Sequence, residues 1–270
     1  MTQLQTQSHS STSELAQIWL IGGTSESAEL AKALSAQKLN YIVTVTTATA
    51  ARLYPESGRV WVGKLLPTTL PAFIAQQQIR CILDASHPFA SEISQLAIAQ
   101  NLPYLRYERP PIPSESLPNS SVTYTDSIDT LTSSLLTNRL LRNQRVLFTL
   151  GYRHLIRFSP LRPSAKLFAR ILPSTEAIAA AKAAGFDASE LIALRPPVSL
   201  ALEKALWQQW NISVVVAKAS GAPGGEAIKR QAAQALGIKL ILIQRPPMVY
   251  PQCTGTVSVA LKFCALTLCA

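Results

Sequence analysis

Short apolar runs alternate with helix-length amphipathic stretches along almost this whole chain, and that alternation restricts the fold more than any other feature. Ile18–Ile21 ends at Gly22-Gly23, and Ser25–Gln37 follows with Ala28, Ala31 and Leu34 at helical spacing behind Thr24 or Ser25 as cap. Tyr41–Thr46 is β-branched and aromatic, as a strand should be, and Val60–Val62, Cys81–Leu83 and Tyr104–Tyr107 read the same way. Thr69–Gln77 and Phe89–Gln100 between them read as helices, Pro71 being tolerated in a first turn.

The texture breaks once. Glu108–Ser121 holds Pro110, Pro111, Pro113 and Pro118 among serines, a composition that extends neither helix nor strand. Beyond it the alternation resumes. Strands are expected at Arg145–Thr149, Leu167–Ile171, Leu191–Leu194, Ser213–Ala217 and Lys239–Ile243. Helices are expected at Thr175–Ala184, Ser199–Trp210 and Glu226–Leu236, the first and last stopped by Gly185 and Gly237. Strands separated by helix-length segments imply βαβ units and parallel sheets. We therefore expect an α/β fold of two Rossmann-like domains with parallel sheets flanked by helices and a cleft between them. The expected ranges are a disordered tail at 1–14, an N-terminal Rossmann-like domain at 15–120 and a C-terminal Rossmann-like domain at 121–270. Val257–Leu268 fits a final strand or a final helix equally.

At 270 residues the chain is long enough for two domains, and 48% hydrophobic residues fill real cores. The net charge of +10, from 25 basic against 15 acidic residues, favours anionic partners. The basic residues are scattered, with no zinc-finger spacing and no basic-region helix, so a small anionic ligand is expected rather than nucleic acid. Of the cysteines, Cys81 sits in an apolar run and Cys253, Cys264 and Cys269 crowd the C-terminus. No CxxC pair occurs, and neither a disulfide framework nor a metal site is expected. Met1–Glu14 is polar, without the basic start of a signal peptide, and no apolar run spans a bilayer. The expected location is the cytoplasm, with no membrane partner, as monomer or homodimer.

Chemistry concentrates where strands end. Gly22-Gly23-Thr24-Ser25 joins a strand to a helix, where backbone N–H groups and hydroxyls bind phosphate, although the full GxGxxG pattern is absent. The second strand ends Val45-Thr46-Thr47-Ala48 with no carboxylate for a ribose 2′-hydroxyl, and Arg52 follows. A hydroxyl-lined turn beside an arginine suits a 2′-phosphate, hence NADPH rather than NADH. Asp84-Ala85-Ser86-His87-Pro88-Phe89-Ala90 packs carboxylate, hydroxyl and imidazole at another strand end, where Pro88 holds His87 out of helical geometry. This cluster is expected to face a ligand. In the second half, Lys218-Ala219-Ser220-Gly221-Ala222-Pro223-Gly224-Gly225, with Lys229 a turn later, is a candidate anion cradle. Gly151-Tyr152 and Arg170 also fall at strand ends. His154 shows no partner in the sequence and is read as structural. Nothing resembles GxSxG, HExxH or a Walker lysine motif, which leaves hydrolase and NTPase readings unsupported.

Taken together and in this order, the strand with Gly22-Gly23-Thr24, the Asp84–Ala90 stretch, Leu105-Arg106-Tyr107-Glu108-Arg109-Pro110 and Lys218-Ala219-Ser220-Gly221 resemble the precorrin-6A reductases, cobalt-precorrin-6A forms included. The resemblance spans about residues 17–247. It implies NADPH-dependent reduction of one macrocycle double bond in corrin synthesis, with a polycarboxylate tetrapyrrole as substrate. On that reading Gly22, Gly23, Thr24, Ser25, Thr46, Arg52 and Ser86 hold the cofactor. Asp84, Arg170, Lys218, Ser220, Gly221 and Lys229 face the substrate, and His87, Tyr152 or water supplies the proton. The chain departs from the family at Arg195-Pro196-Pro197-Val198, where a Gly-Pro-Phe turn is usual, and in its longer glycine loop. Two other readings fit the same features: a non-catalytic NADPH-binding sensor and a two-domain nucleotide-sugar transferase.

Overall fold

The computed structural model describes residues 17–54, 59–108, 121–138 and 141–269. The tail at 1–14 and nearly all of the proline-rich stretch lie outside the described residues. The chain forms two compact units, residues 1–108 with 249–270 and residues 109–248.

The first unit is built on β1 (Ile18–Ile21), β2 (Tyr41–Val45), β3 (Val60–Val62), β4 (Cys81–Asp84), β5 (Tyr104–Tyr107) and β12 (Cys253–Thr254). Their order is β12-β5-β4-β1-β2-β3, and all five pairings are parallel. A parallel sheet covered on both faces reads as unbroken apolar runs, and β1, β2 and β4 are buried at every residue. Alternate residues of β1 serve opposite faces. Ile18 and Leu20 pack with Leu30 and Leu34 of α1 (Ser25–Ala36) and with Ala260 and Cys264 of α9 (Val257–Cys269). Trp19 and Ile21 pack with Leu70 and Phe73 of α3 (Leu70–Gln76) and Ala97 of α4 (Ser91–Ile98). The short α2 (Ala48–Ala51) links β2 toward β3.

The second unit repeats the plan. Its strands are β6 (Val122–Thr125), β7 (Arg145–Thr149), β8 (Lys166–Ile171), β9 (Leu191–Ala193), β10 (Val214–Lys218) and β11 (Lys239–Ile243). Their order is β6-β11-β10-β7-β8-β9, again wholly parallel. Trp207 of α7 (Leu200–Gln209) and Ala232 and Ala233 of α8 (Glu226–Leu236) close one face over Leu147, Val215 and Leu240. α5 (Ile128–Asn138) and α6 (Thr175–Ala183) are further helices of this unit, and Phe148 stacks on Phe158 of the 3-10 turn Leu155–Leu161 with centroids 4.3 Å apart. Both sheets therefore have the doubly wound order, which reverses between β1 and β4 and between β7 and β10.

Two expectations need correction. The C-terminal domain does not run to residue 270, because β12 and α9 belong to the first unit. β12 supplies the outermost strand beside β5, and α9 supplies the helix that covers Cys81 and Leu83. The open choice at Val257–Leu268 resolves as a helix, and Arg80 Nη1 donates to the Leu268 carbonyl near its end. The second correction is that β6 and α5 went unread. β6 lies at the sheet edge with no fully buried residue, so Val122-Thr123-Tyr124-Thr125 carries no apolar run. Among the described residues, no helix is long and apolar enough to cross a membrane.

Because Ala260 is fully buried against the first sheet, Ala260→Asp places an uncompensated charge in that core. We expect a loss of about 3 kcal/mol or more, seen as a Tm roughly 6–12 °C lower by calorimetry. An unchanged Tm would contradict the docking of α9.

Candidate functional site

In an open parallel sheet the crevice for a ligand lies beyond the carboxyl ends of the strands, where the order reverses. In the first unit that point gathers the turn after β1 and the loop after β4. The Gly22 N–H donates to the Thr44 carbonyl at 2.9 Å. A Cβ on Gly22 would lie 2.5 Å from Tyr54 Oη and 2.7 Å from Val43 Cγ1, so only glycine fits. Gly23 needs glycine for another reason: its φ is +101°, and the space around its missing Cβ is open. Thr24 caps α1 by accepting from the Ser27 N–H at 3.1 Å, and its hydroxyl donates to the Ala85 carbonyl at 2.9 Å. That last bond ties the two loops together. Ser25 Oγ donates to Glu26 Oε2 at 3.0 Å on the exposed first turn. Thr46 and Arg52 are exposed beyond the carboxyl end of β2, Arg52 following α2, and no Asp or Glu lies between them.

The loop after β4 is organised by charge. Asp84 is fully buried. Its Oδ1 accepts from the Ser86 N–H at 2.9 Å and Arg106 Nη1 at 2.8 Å, and its Oδ2 accepts from Ser94 Oγ at 2.5 Å and Tyr104 Oη at 2.6 Å. Arg106, 1% exposed, also donates to Ser86 Oγ at 2.9 Å, the Ser86 carbonyl at 3.0 Å and Glu108 Oε2 at 2.8 Å. Burial works against the Arg106 charge, but Asp84 and Glu108 raise its pKa above the ordinary arginine value. Burial and the Asp84 charge push the Tyr104 phenol up. Asp84 was expected to face substrate and Ser86 the cofactor. The structure instead spends both inside the protein, because a buried carboxylate must collect its partners locally. Half-buried His87 remains at the loop surface, where its Nδ1 accepts from the Phe89 N–H at 3.2 Å. That bond assigns the ring proton to Nε2 and would be lost on protonation. The geometry therefore fits a hydrogen-bond donor better than a proton source.

The second unit places Gly151-Tyr152-Arg153-His154 after β7, and Lys218 at the end of β10 with Ala219-Ser220 following, at its own reversal point. The Tyr152 phenol donates to Glu176 Oε1, and the Arg153 guanidinium lies 5.8 Å from the Tyr152 ring. Burial and the Glu176 bond push the Tyr152 phenol up. His154 is held down by burial, then by the charges of Lys218 and Arg153, and Lys218 by burial and Arg153. His154, read from sequence as structural, thus feels the charge of two cations. The clue was its place three residues past Gly151, in the same strand-end loop.

The glycine loop is fixed from within. Ser220 is buried, and a Cβ on Gly224 would fall 1.8 Å from its hydroxyl, so the backbone wraps the serine closely. The Gly221 N–H donates to Glu226 Oε2 at 2.9 Å, and Glu226 Oε1 accepts two N–H bonds from Arg230. Lys229 Nζ donates to the Gly224 carbonyl at 2.9 Å and the Gly225 carbonyl at 3.3 Å. Burial, helped by Arg170, lowers Lys229 to about 8. Arg170 is ion-paired with the buried Glu203. Ser220, Gly221, Arg170 and Lys229 were expected to meet the substrate. Ser220, Gly221 and Lys229 are instead held within the loop and Arg170 is held by Glu203, while Arg153 follows β7 and Lys218 ends β10.

Residues 17–265 match the family model described as precorrin-6x reductase CbiJ/CobK. A cobalt-precorrin-6A reductase of Synechocystis sp. is 48% identical over 256 residues, covering 93% of this chain and 96% of the relative. One from Priestia megaterium is 30% identical over 244 residues, covering 86% and 92%. A solved structure named CobK precorrin-6A reductase shares the fold with a TM-score of 0.75 at 22% identity, over 94% of this chain and 97% of that one. On the strength of the family match and the coverage of these relatives, the chain belongs to the precorrin-6x reductase CbiJ/CobK family.

Proposed function

We propose that this protein reduces one double bond of the cobalt-precorrin-6A macrocycle with NADPH. The observation that carries the reading is the tie between the Gly22-Gly23 turn and the Asp84–Ala90 loop, through the Thr24 hydroxyl and the Ala85 carbonyl, at the reversal point of the first sheet. The cobalt form is favoured because the relatives at 48% and 30% identity both carry that name.

The first unit fits the dinucleotide. The open side of Gly23 admits a phosphate, and Thr46 and exposed Arg52, in place of a carboxylate, suit a 2′-phosphate. NADPH when bound supplies the hydride, and the protein supplies position and field. His87 stands in the same loop, its Nδ1 turned to the Phe89 N–H. Arg153 and Lys218 would pair with acetate and propionate groups of the macrocycle. Water, the third source given above, is our candidate for the proton. Tyr152 fits that role less well, its phenol being pushed up and engaged with Glu176.

A sensor would bind NADPH and leave the tetrapyrrole unchanged, and a nucleotide-sugar transferase would ignore NADPH. Purified protein given NADPH and cobalt-precorrin-6A should lose NADPH absorbance only when the tetrapyrrole is present. Tight NADPH binding without turnover would favour the sensor, and neither binding nor turnover would overturn the reading. Lys218→Met should raise KM for the tetrapyrrole at least about tenfold, a loss of about 1.4 kcal/mol, with NADPH affinity unchanged. In the wild type the same KM should rise as pH climbs toward the ordinary lysine value, because Lys218 sheds its charge early. A KM flat across that range would remove Lys218 from substrate binding.

A further inference from the structure

Tyr54 was not singled out by any sequence pattern, yet it sits at the centre of the first glycine turn. It is 4% exposed, and its hydroxyl lies 2.6 Å from the Gly23 N–H and 2.6 Å from Ser27 Oγ. One arrangement of protons satisfies these bonds together. The phenol oxygen accepts from Gly23, the phenol proton goes to Ser27 Oγ, and the Ser27 proton goes to the Thr24 carbonyl at 2.7 Å. Ser27 Oγ also accepts from the Thr24 N–H at 3.0 Å, and Thr24 Oγ1 accepts from the Ser27 N–H. Three of the amide donors that a glycine turn offers to a phosphate are thus already occupied.

Two of the three are held by the capping box of α1, whose members are three residues apart and move with the helix. The third is held from 31 residues away by a single side chain. The glycines divide the same way. Gly22 is required because the Tyr54 hydroxyl would stand 2.5 Å from any Cβ there. Gly23 faces open space. A phosphate arriving over Gly23 therefore meets its amide already bonded to a neutral phenol. Charged phosphate oxygens accept N–H bonds about twice as strongly as neutral acceptors.

We propose that the Tyr54 hydroxyl stands in for a phosphate oxygen in the cofactor-free protein and is exchanged for the pyrophosphate of the dinucleotide when it binds. This rests on the reading that the first unit binds NADPH. Burial raises the Tyr54 pKa, so the phenol keeps its proton and acts as a neutral placeholder across ordinary assay conditions. The exchange costs affinity, because the incoming phosphate has to replace a bond rather than fill a vacant donor.

Tyr54→Phe keeps the ring and removes the competitor. Isothermal titration with NADPH should give a Kd about 3–10-fold lower than wild type. A Kd that is unchanged or higher would overturn the proposal, the hydroxyl then being inert or a direct support for the cofactor. Wild-type protein carrying 13C-labelled tyrosine provides a test that needs no variant. The Tyr54 resonance should shift on adding NADPH, and in the same direction with inorganic pyrophosphate alone. NADPH binding with an unmoved Tyr54 resonance would overturn the exchange and leave the cofactor reading standing. No saturable NADPH binding by the wild type would overturn the cofactor reading itself.

Discussion

The buried pair of Asp84 and Arg106 is the interaction on which the first unit's site depends. Such a pair is a poor source of stability, since removing two charges from water costs several kcal/mol per ion and well-packed apolar residues often do as well. Its value here is geometric. Asp84 accepts the Ser86 N–H, while Arg106 holds both the Ser86 hydroxyl and its carbonyl. Ser86 is thereby fixed at three points, and His87 follows it directly. Losing either charge alone would strand the other in the core, at a cost of about 3–5 kcal/mol. Tyr250 stacks on Tyr104 and lies 5.3 Å from the Arg106 guanidinium, so the segment leading into β12 and α9 is bound to the same network.

The two units solve one problem with different residues. A strand-to-helix loop exposes backbone donors and acceptors, which must find partners before any ligand arrives. The first unit satisfies its loop with hydroxyls, from Thr24, Ser27 and Tyr54. The second uses charges, with Glu226 taking the Gly221 N–H and Lys229 taking two carbonyls. Buried Lys229, lowered to about 8, marks the cost of bringing a cation under a loop. The units also share the placement of their outermost strand. β12 reaches the first sheet from the far end of the chain, and β6 precedes the other strands of the second.

The fold was legible where burial on both sheet faces wrote itself as apolar runs. β1, β2, β4, β10 and β11 are of that kind, and the glycines that stop α6 and α8 have φ of +85° and +64°. β6 was not legible because an edge strand needs no apolar run. The allegiance of α9 was not legible because contact with Cys81 is a long-range fact. The site was legible as places and less so as roles. Gly22, Gly23, the Asp84 loop and Lys218 all lie at strand ends, as read. What the sequence could not convey is which polar group faces outward. Asp84, Ser86, Arg170 and Lys229 turn inward because each has a partner on another element: Arg106, Glu203 or a loop carbonyl. Tyr54 stayed invisible for the same reason, its link to Gly23 spanning 31 residues.

The claim that matters most is that a hydride leaves NADPH and ends on the macrocycle. NADPH carrying deuterium at the nicotinamide C4, prepared separately on each face, tests it when incubated with the protein and cobalt-precorrin-6A. The account predicts one deuteron in the reduced tetrapyrrole by mass spectrometry from one labelled face and none from the other. Reduced product free of deuterium from both would contradict direct transfer and, with it, the assignment of the first unit as the seat of the hydride donor.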